Sequence, residues 1–120
     1  MRNAKGFTLV EIMIVVAIIG ILIAIAVPSF LRAREISRRN ACQENLNKIS
    51  GATQQWAIDK KIGADGAASW SELIGSDLYL RKSPECPSSG SYELGSDISE
   101  NPTCSLSSNP AGSEFNHILP

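Results

Sequence analysis

The sequence predicts an α+β chain: a long N-terminal helix, apolar in its first half and amphipathic in its second, then a small head with one antiparallel β-hairpin. Three observations predict it. An apolar run fills residues 7–31 almost without interruption. A stripe spaced by four and three follows, through Cys42, Leu46, Ile49, Thr53 and Trp56. Two short segments bounded by turn residues lie towards the C-terminus. The 120 residues allow one domain at most plus an accessory segment. The expected division is a leader at 1–6, a transmembrane helix at 7–31, its amphipathic continuation at 32–62 and a head at 63–120.

The first helix follows from length and composition. Residues 12–27 carry no charge and are dominated by Ile, Val, Leu and Ala. The 25 residues from 7 to 31 make a helix about 37 Å long, enough to cross a hydrocarbon core of about 30 Å. A soluble core helix shows a polar face, and this run has none. Glu11 is the exception, a carboxylate at the start of an apolar run. An ionisable group there costs a few kcal/mol unless it finds a partner or lies among headgroups. Gly20 and Pro28 mark the softest part of the helix, because glycine lowers helix propensity and proline removes one backbone hydrogen bond.

After Pro28 the periodic stripe begins, and the pattern fades at Lys60-Lys61-Ile62-Gly63. Basic residues followed by glycine are a helix stop. One helix of roughly 55 residues, near 80 Å long, is expected. Ser69-x-x-Glu72 has the form of a capping box and opens a short helix from Trp70 to about Ile74, stopped by Gly75. Trp70 is expected in the core. Residues 91–94 alternate between Gly90 and Gly95 and form one strand. Residues 103–106 are its partner, with Asn101-Pro102 in the turn.

The net charge of −1 hides an asymmetry. Arg32, Arg34, Arg38, Arg39, Lys48, Lys60 and Lys61 make the helix basic. Beyond Lys61 only Arg81 and Lys82 oppose eight acids. The basic face is expected to be solvated, or to meet acidic heads of neighbouring copies or anionic lipid. Four arginines after the apolar run oppose the positive-inside rule, so charge alone does not orient the helix.

The stretch Lys5-Gly6-Phe7-Thr8-Leu9-Val10-Glu11 resembles the class III signal of type IV pilins and type II secretion pseudopilins. The resemblance covers about the first 60 residues. It implies cleavage between Gly6 and Phe7 by a membrane prepilin peptidase, which also N-methylates Phe7. It implies a role for Glu11 in assembly register, paired with the α-amine that cleavage frees, and it places Pro28 at the family's helix-kinking position. It further implies a single-pass protein of the bacterial inner (cytoplasmic) membrane, N-terminus in the cytoplasm and head periplasmic or extracellular. The implied partners are other copies of the chain and related pilins, the peptidase/methylase, a membrane assembly platform and the lipid bilayer. The implied function is that of a structural subunit of a pilus or pseudopilus filament. Two alternatives stand beside it. One is a minor pilin or DNA-uptake subunit with a ligand-binding head, although nucleic acid is not expected at Arg32–Arg39. The other is a secreted protein cut after Ala26, since Ala24-Ile25-Ala26 matches a small-x-small signal-peptidase site.

The cysteines are Cys42, Cys86 and Cys104. With the head outside the cytoplasm a disulfide is permitted. Cys86–Cys104 is the favoured pair because both flank the hairpin, and loop closure would contribute about 3 kcal/mol. Cys42 is then a small buried apolar residue, although all three connectivities stay open. Three cysteines and His117 have the ligand types of a zinc site, but their spacing fits no compact knuckle and an oxidising compartment disfavours it. No metal and no cofactor are expected, and His117 is expected to be exposed. Asp65 and Asp97 are isolated, which gives calcium no cluster. No glycine-rich phosphate loop occurs, and the one histidine near the C-terminus supports no nucleophilic triad. No catalytic residues are assigned, and the chain is expected not to be an enzyme.

Overall fold

The computed structural model describes residues 3–108 and 113–120. The elements are helix α1, Leu9–Lys60, helix α2, Trp70–Leu73, strands β1, Tyr92–Glu93, and β2, Thr103–Cys104, and a 3-10 turn at Ser113–Phe115. This is the expected α+β arrangement, with α1 and one small antiparallel sheet. The chain divides into two compact units, Met1–Arg34 and Glu35–Pro120.

In the first unit, every described residue is exposed. The helix continues through Gly20 and Pro28. Its missing proline N–H leaves one carbonyl of the preceding turn without its usual donor. Helix α1 is the one helix among the described residues that is long and apolar enough to cross a membrane.

In the second unit, α1 buries one face: Cys42, Leu46, Ile49, Ala52, Trp56 and Ala57. Four positions of the predicted stripe are buried, and Thr53 is half-buried with its hydroxyl donating to the Ile49 carbonyl at 2.9 Å. Ala52 and Ala57 widen the stripe on either side. The head packs on it in two clusters. One joins Ala52, Trp56 and Ala57 to Leu73, with Tyr79, Leu80, Leu94 and Ile98 around them. The other joins Cys42 and Leu46 to Cys86 and Cys104, flanked by Tyr92, Leu106 and Leu119.

The expected capping box starts α2, with Glu72 accepting from the Ser69 N–H at 3.0 Å. Leu73, not Trp70, is the residue that this turn buries; Trp70 is half-buried. A four-residue helix presents only one position squarely to the core, and Leu73 holds it. The chain then loops back, with Leu80 N–H donating to Leu73 O at 2.8 Å and Gly75 N–H to Leu80 O at 2.9 Å. This brings Tyr79 and Leu80 onto the Trp56 cluster. The hairpin pairs Tyr92 with Cys104 and Glu93 with Thr103, shorter than the predicted strands but in the expected segments.

Helix α1 ends at Lys60, where the basic residues predicted its stop, and is followed by a left-handed Lys61 with φ of 55°. Lys61 N–H donates to Ile58 O at 3.2 Å and Ile62 N–H to Ala57 O at 3.0 Å. These are the two bonds of a Schellman cap, built on a lysine where glycine is preferred. A side chain in this backbone region costs about 1–2 kcal/mol. Replacing Lys61 with glycine removes that cost but adds unfolded-chain entropy. Lys61→Gly is therefore expected to stabilise the chain by about 0.5–1 kcal/mol, read as a higher midpoint in thermal unfolding of the detergent-solubilised protein.

Candidate functional site

Two groups of functional side chains emerge, one in each unit. The first lies at the start of α1. Thr8 precedes the first helical residue, and Glu11 is the third residue of the helix. The Thr8 backbone N–H donates to Glu11 Oε2 at 2.7 Å, and the Glu11 N–H donates to Thr8 Oγ1 at 3.2 Å. The Thr8 hydroxyl also donates to Glu11 Oε2 at 2.9 Å. This is a reciprocal capping box. It satisfies two of the amides that every helix start leaves orphaned, and it sets a negative charge against the positive end of the helix dipole.

Glu11 therefore has a local partner that its place in an apolar run did not suggest. Thr8 is the residue that sequence reasoning missed. The signal was present, since Thr8-x-x-Glu11 has the same form as Ser69-x-x-Glu72. Gly6 and Phe7 lie just ahead of the cap in exposed chain without regular structure. Nothing lies within 4 Å of where a Gly6 side chain would begin. The bond between Gly6 and Phe7 is thus presented outside regular structure.

The second group lies within the head unit. Cys42 comes from α1, Cys86 from the loop before β1, Cys104 from β2 and His117 from the C-terminal segment. One sulfur from each cysteine and one imidazole nitrogen all lie within 4.8 Å of one another. All four residues are buried, and all three cysteines are free thiols. His117, expected to be exposed, has no accessible surface. The cause is local: its backbone N–H donates to Leu106 O at 3.1 Å, and the Arg39 guanidinium donates to Glu114 O at 2.5 Å. These two bonds fold the C-terminal segment against the helix and the hairpin. Burial pushes the Cys42 thiol up to about 12, against a lowering hydrogen bond from Tyr92. Burial also raises the Cys104 thiol and lowers the His117 imidazole.

Residues 1–27 of the chain match the family model described as the prokaryotic N-terminal methylation motif. Its relatives are type IV pilins and pseudopilins. It is 44% identical over 66 residues to the type IV major pilin protein PilA of Myxococcus xanthus, covering 55% of this chain and 30% of that one. It is 26% identical over 106 residues to the type II secretion system core protein G of Klebsiella pneumoniae, covering 78% of this chain and 76% of that one. It is 29% identical over 85 residues to the competence protein ComGC of Bacillus subtilis, covering 71% and 83%. The chain spans under half the length of the type IV major pilins that it matches. No solved structure matches it.

The cap is directly testable. Losing the Thr8 hydroxyl frees the Glu11 amide at a cost of about 1 kcal/mol. Thr8→Ala is expected to speed hydrogen exchange at that amide by about fivefold, whereas Thr8→Ser keeps the wild-type rate.

Proposed function

We propose that this chain is a structural filament subunit, inserted in the membrane as a precursor, cut after Gly6 and polymerised through α1. The observation that carries the proposal is the first unit itself. Its large apolar residues between Phe7 and Leu31 are all exposed, from 47% at Val27 to 88% at Phe7. A surface of that kind needs lipid before assembly and neighbouring helices after it. One carboxylate stands at its N-terminal end. Helix packing among copies covers the apolar surface, and the carboxylate supplies the position-specific contact that fixes which copy sits where.

The position of Glu11 supports that role. Its carboxylate is bonded to the amide of Thr8, the neighbour of Phe7. Cleavage after Gly6 would turn the Phe7 nitrogen into a cationic amine beside the helix N-terminus, where the dipole disfavours a positive charge. Glu11 compensates it, from the same copy or from an adjacent one. Phe7 methylation, a peptidase/methylase and an assembly platform belong to the same proposal, with the N-terminus cytoplasmic and the head on the far side. The alignments with protein G and ComGC run into the head, whereas the match to PilA spans 66 residues. That favours a short subunit of the secretion or competence type.

Three variants of the full chain, made in a host that supplies the peptidase, separate the steps. Gly6→Ala is expected to keep the leader, seen in the intact mass. Glu11→Leu is expected to be processed normally but to lose most of the filament recovered by shearing. Glu11→Gln retains a capping side chain without the charge, and it too is expected to lose filament. A mature N-terminus at Val27, or wild-type filament yield from Glu11→Gln, would overturn the cleavage or the register role respectively.

A further inference from the structure

We infer that Cys42, Cys86, Cys104 and His117 form a structural metal site in the head, with the Cys3His donor set of tetrahedral zinc. Four ligand atoms from four separate segments lie within 4.8 Å of one another. A tetrahedral zinc site with bonds of about 2.3 Å to sulfur and 2.0 Å to nitrogen requires edges of about 3.5–3.8 Å. The Cys86 Sγ to His117 Nδ1 separation is 3.4 Å. Three sulfurs and one imidazole suit zinc and exclude calcium or magnesium, which take oxygen ligands.

The surroundings are those of a ligand set. Cys86 and Cys104 each open a tight turn, with Ser89 N–H donating to Cys86 O at 3.0 Å and Ser107 N–H to Cys104 O at 2.9 Å. Tyr92 packs against the cysteines, and its phenol oxygen accepts from Asn45 at 3.2 Å. Such outer bonds orient metal ligands and tune them. Gly90 leaves room for the sulfurs: a Cβ there would lie 2.8 Å from Cys104 Sγ and 3.2 Å from Cys86 Sγ.

Cysteine number points the same way. A disulfide between any two of the three would leave a third thiol buried beside a buried imidazole. One zinc engages all four groups. Binding releases three thiol protons and leaves the imidazole neutral. His117 Nδ1 is the nitrogen that faces the Cys86 sulfur, and its Nε2 is buried with no hydrogen-bond partner among the described residues. A head of this size gains most from such a staple.

The test uses the full chain in detergent, purified without chelator. About one zinc per chain is expected by elemental analysis. Reduced, metal-free protein is expected to recover one equivalent from zinc chloride, and cobalt is expected to give the visible bands of a tetrahedral thiolate complex. Cys86→Ala and His117→Ala are expected to weaken zinc binding at least about tenfold. Because such variants can lose the fold, the wild-type protein decides. An intact mass lower by two hydrogens, with one alkylatable thiol, would mean a disulfide and overturn the site. So would reduced, folded protein that takes up no zinc.

Discussion

The second unit depends on one constraint: its core has a single wall, the apolar stripe of α1 from Cys42 to Ala57. Both hydrophobic clusters are anchored there, and each receives from the head only one or two buried apolar residues. Leu73 closes the upper cluster, and Cys86 and Cys104 close the lower one. The head has no layer of its own against which a two-residue hairpin could pack. Isolated hairpins are marginal in water, so β1 and β2 persist because the helix covers one side of them. The same dependence explains the polar stitches from helix to head. Asn45 donates to Glu85 O at 3.0 Å and to the Tyr92 hydroxyl at 3.2 Å, fixing the loop that carries Cys86.

Helix α1 thus carries two different surfaces on one continuous backbone. From Ile12 to Leu31 its exposed surface carries no charge, and from Cys42 it is amphipathic. The change coincides with Arg32, Arg34, Glu35, Arg38 and Arg39, where Glu35 lies 3.8 Å from Arg38. An exposed pair of this kind contributes little stability. The charges matter more as a boundary, because a helix cannot slide such a cluster into hydrocarbon at low cost. A bilayer around the apolar segment would meet charge at both ends, the capped Glu11 at one and the arginines at the other.

Much of this was legible in the sequence, for physical reasons that differ by element. The stripe was legible because burial on one face imposes a helical period, and the α2 cap because Ser69 and Glu72 act within one turn. The Thr8–Glu11 cap obeys the same local rule, yet the apolar run drew attention to the cost of the carboxylate rather than to its donor three residues away. The end of α1 was legible because basic residues and a glycine follow the last turn of the stripe, although the left-handed position falls on Lys61 rather than on Gly63. Lys61 takes that conformation because the Schellman bonds to Ala57 and Ile58 outweigh its strain.

The cysteine cluster lay beyond local reasoning for a different reason. Its members are separated by 44, 18 and 13 positions, from Cys42 to Cys86 to Cys104 to His117, and no pattern within one element links them. They meet because three unrelated constraints converge: the helical period aims Cys42 at the head, the hairpin register sets Cys104 opposite Tyr92, and Arg39 with Leu106 draws in the C-terminal segment. His117 illustrates the consequence. A histidine three residues before the last residue is ordinarily solvated, but here its segment is held to Leu106 and Arg39 and the side chain is completely buried. Three thiols pack in a core as small apolar groups, but a buried imidazole whose Nε2 has no hydrogen-bond partner among the described residues is costly there. A soft metal ion satisfies all four groups at once, and it joins the helix, the loop before β1, strand β2 and the C-terminal segment at a single point.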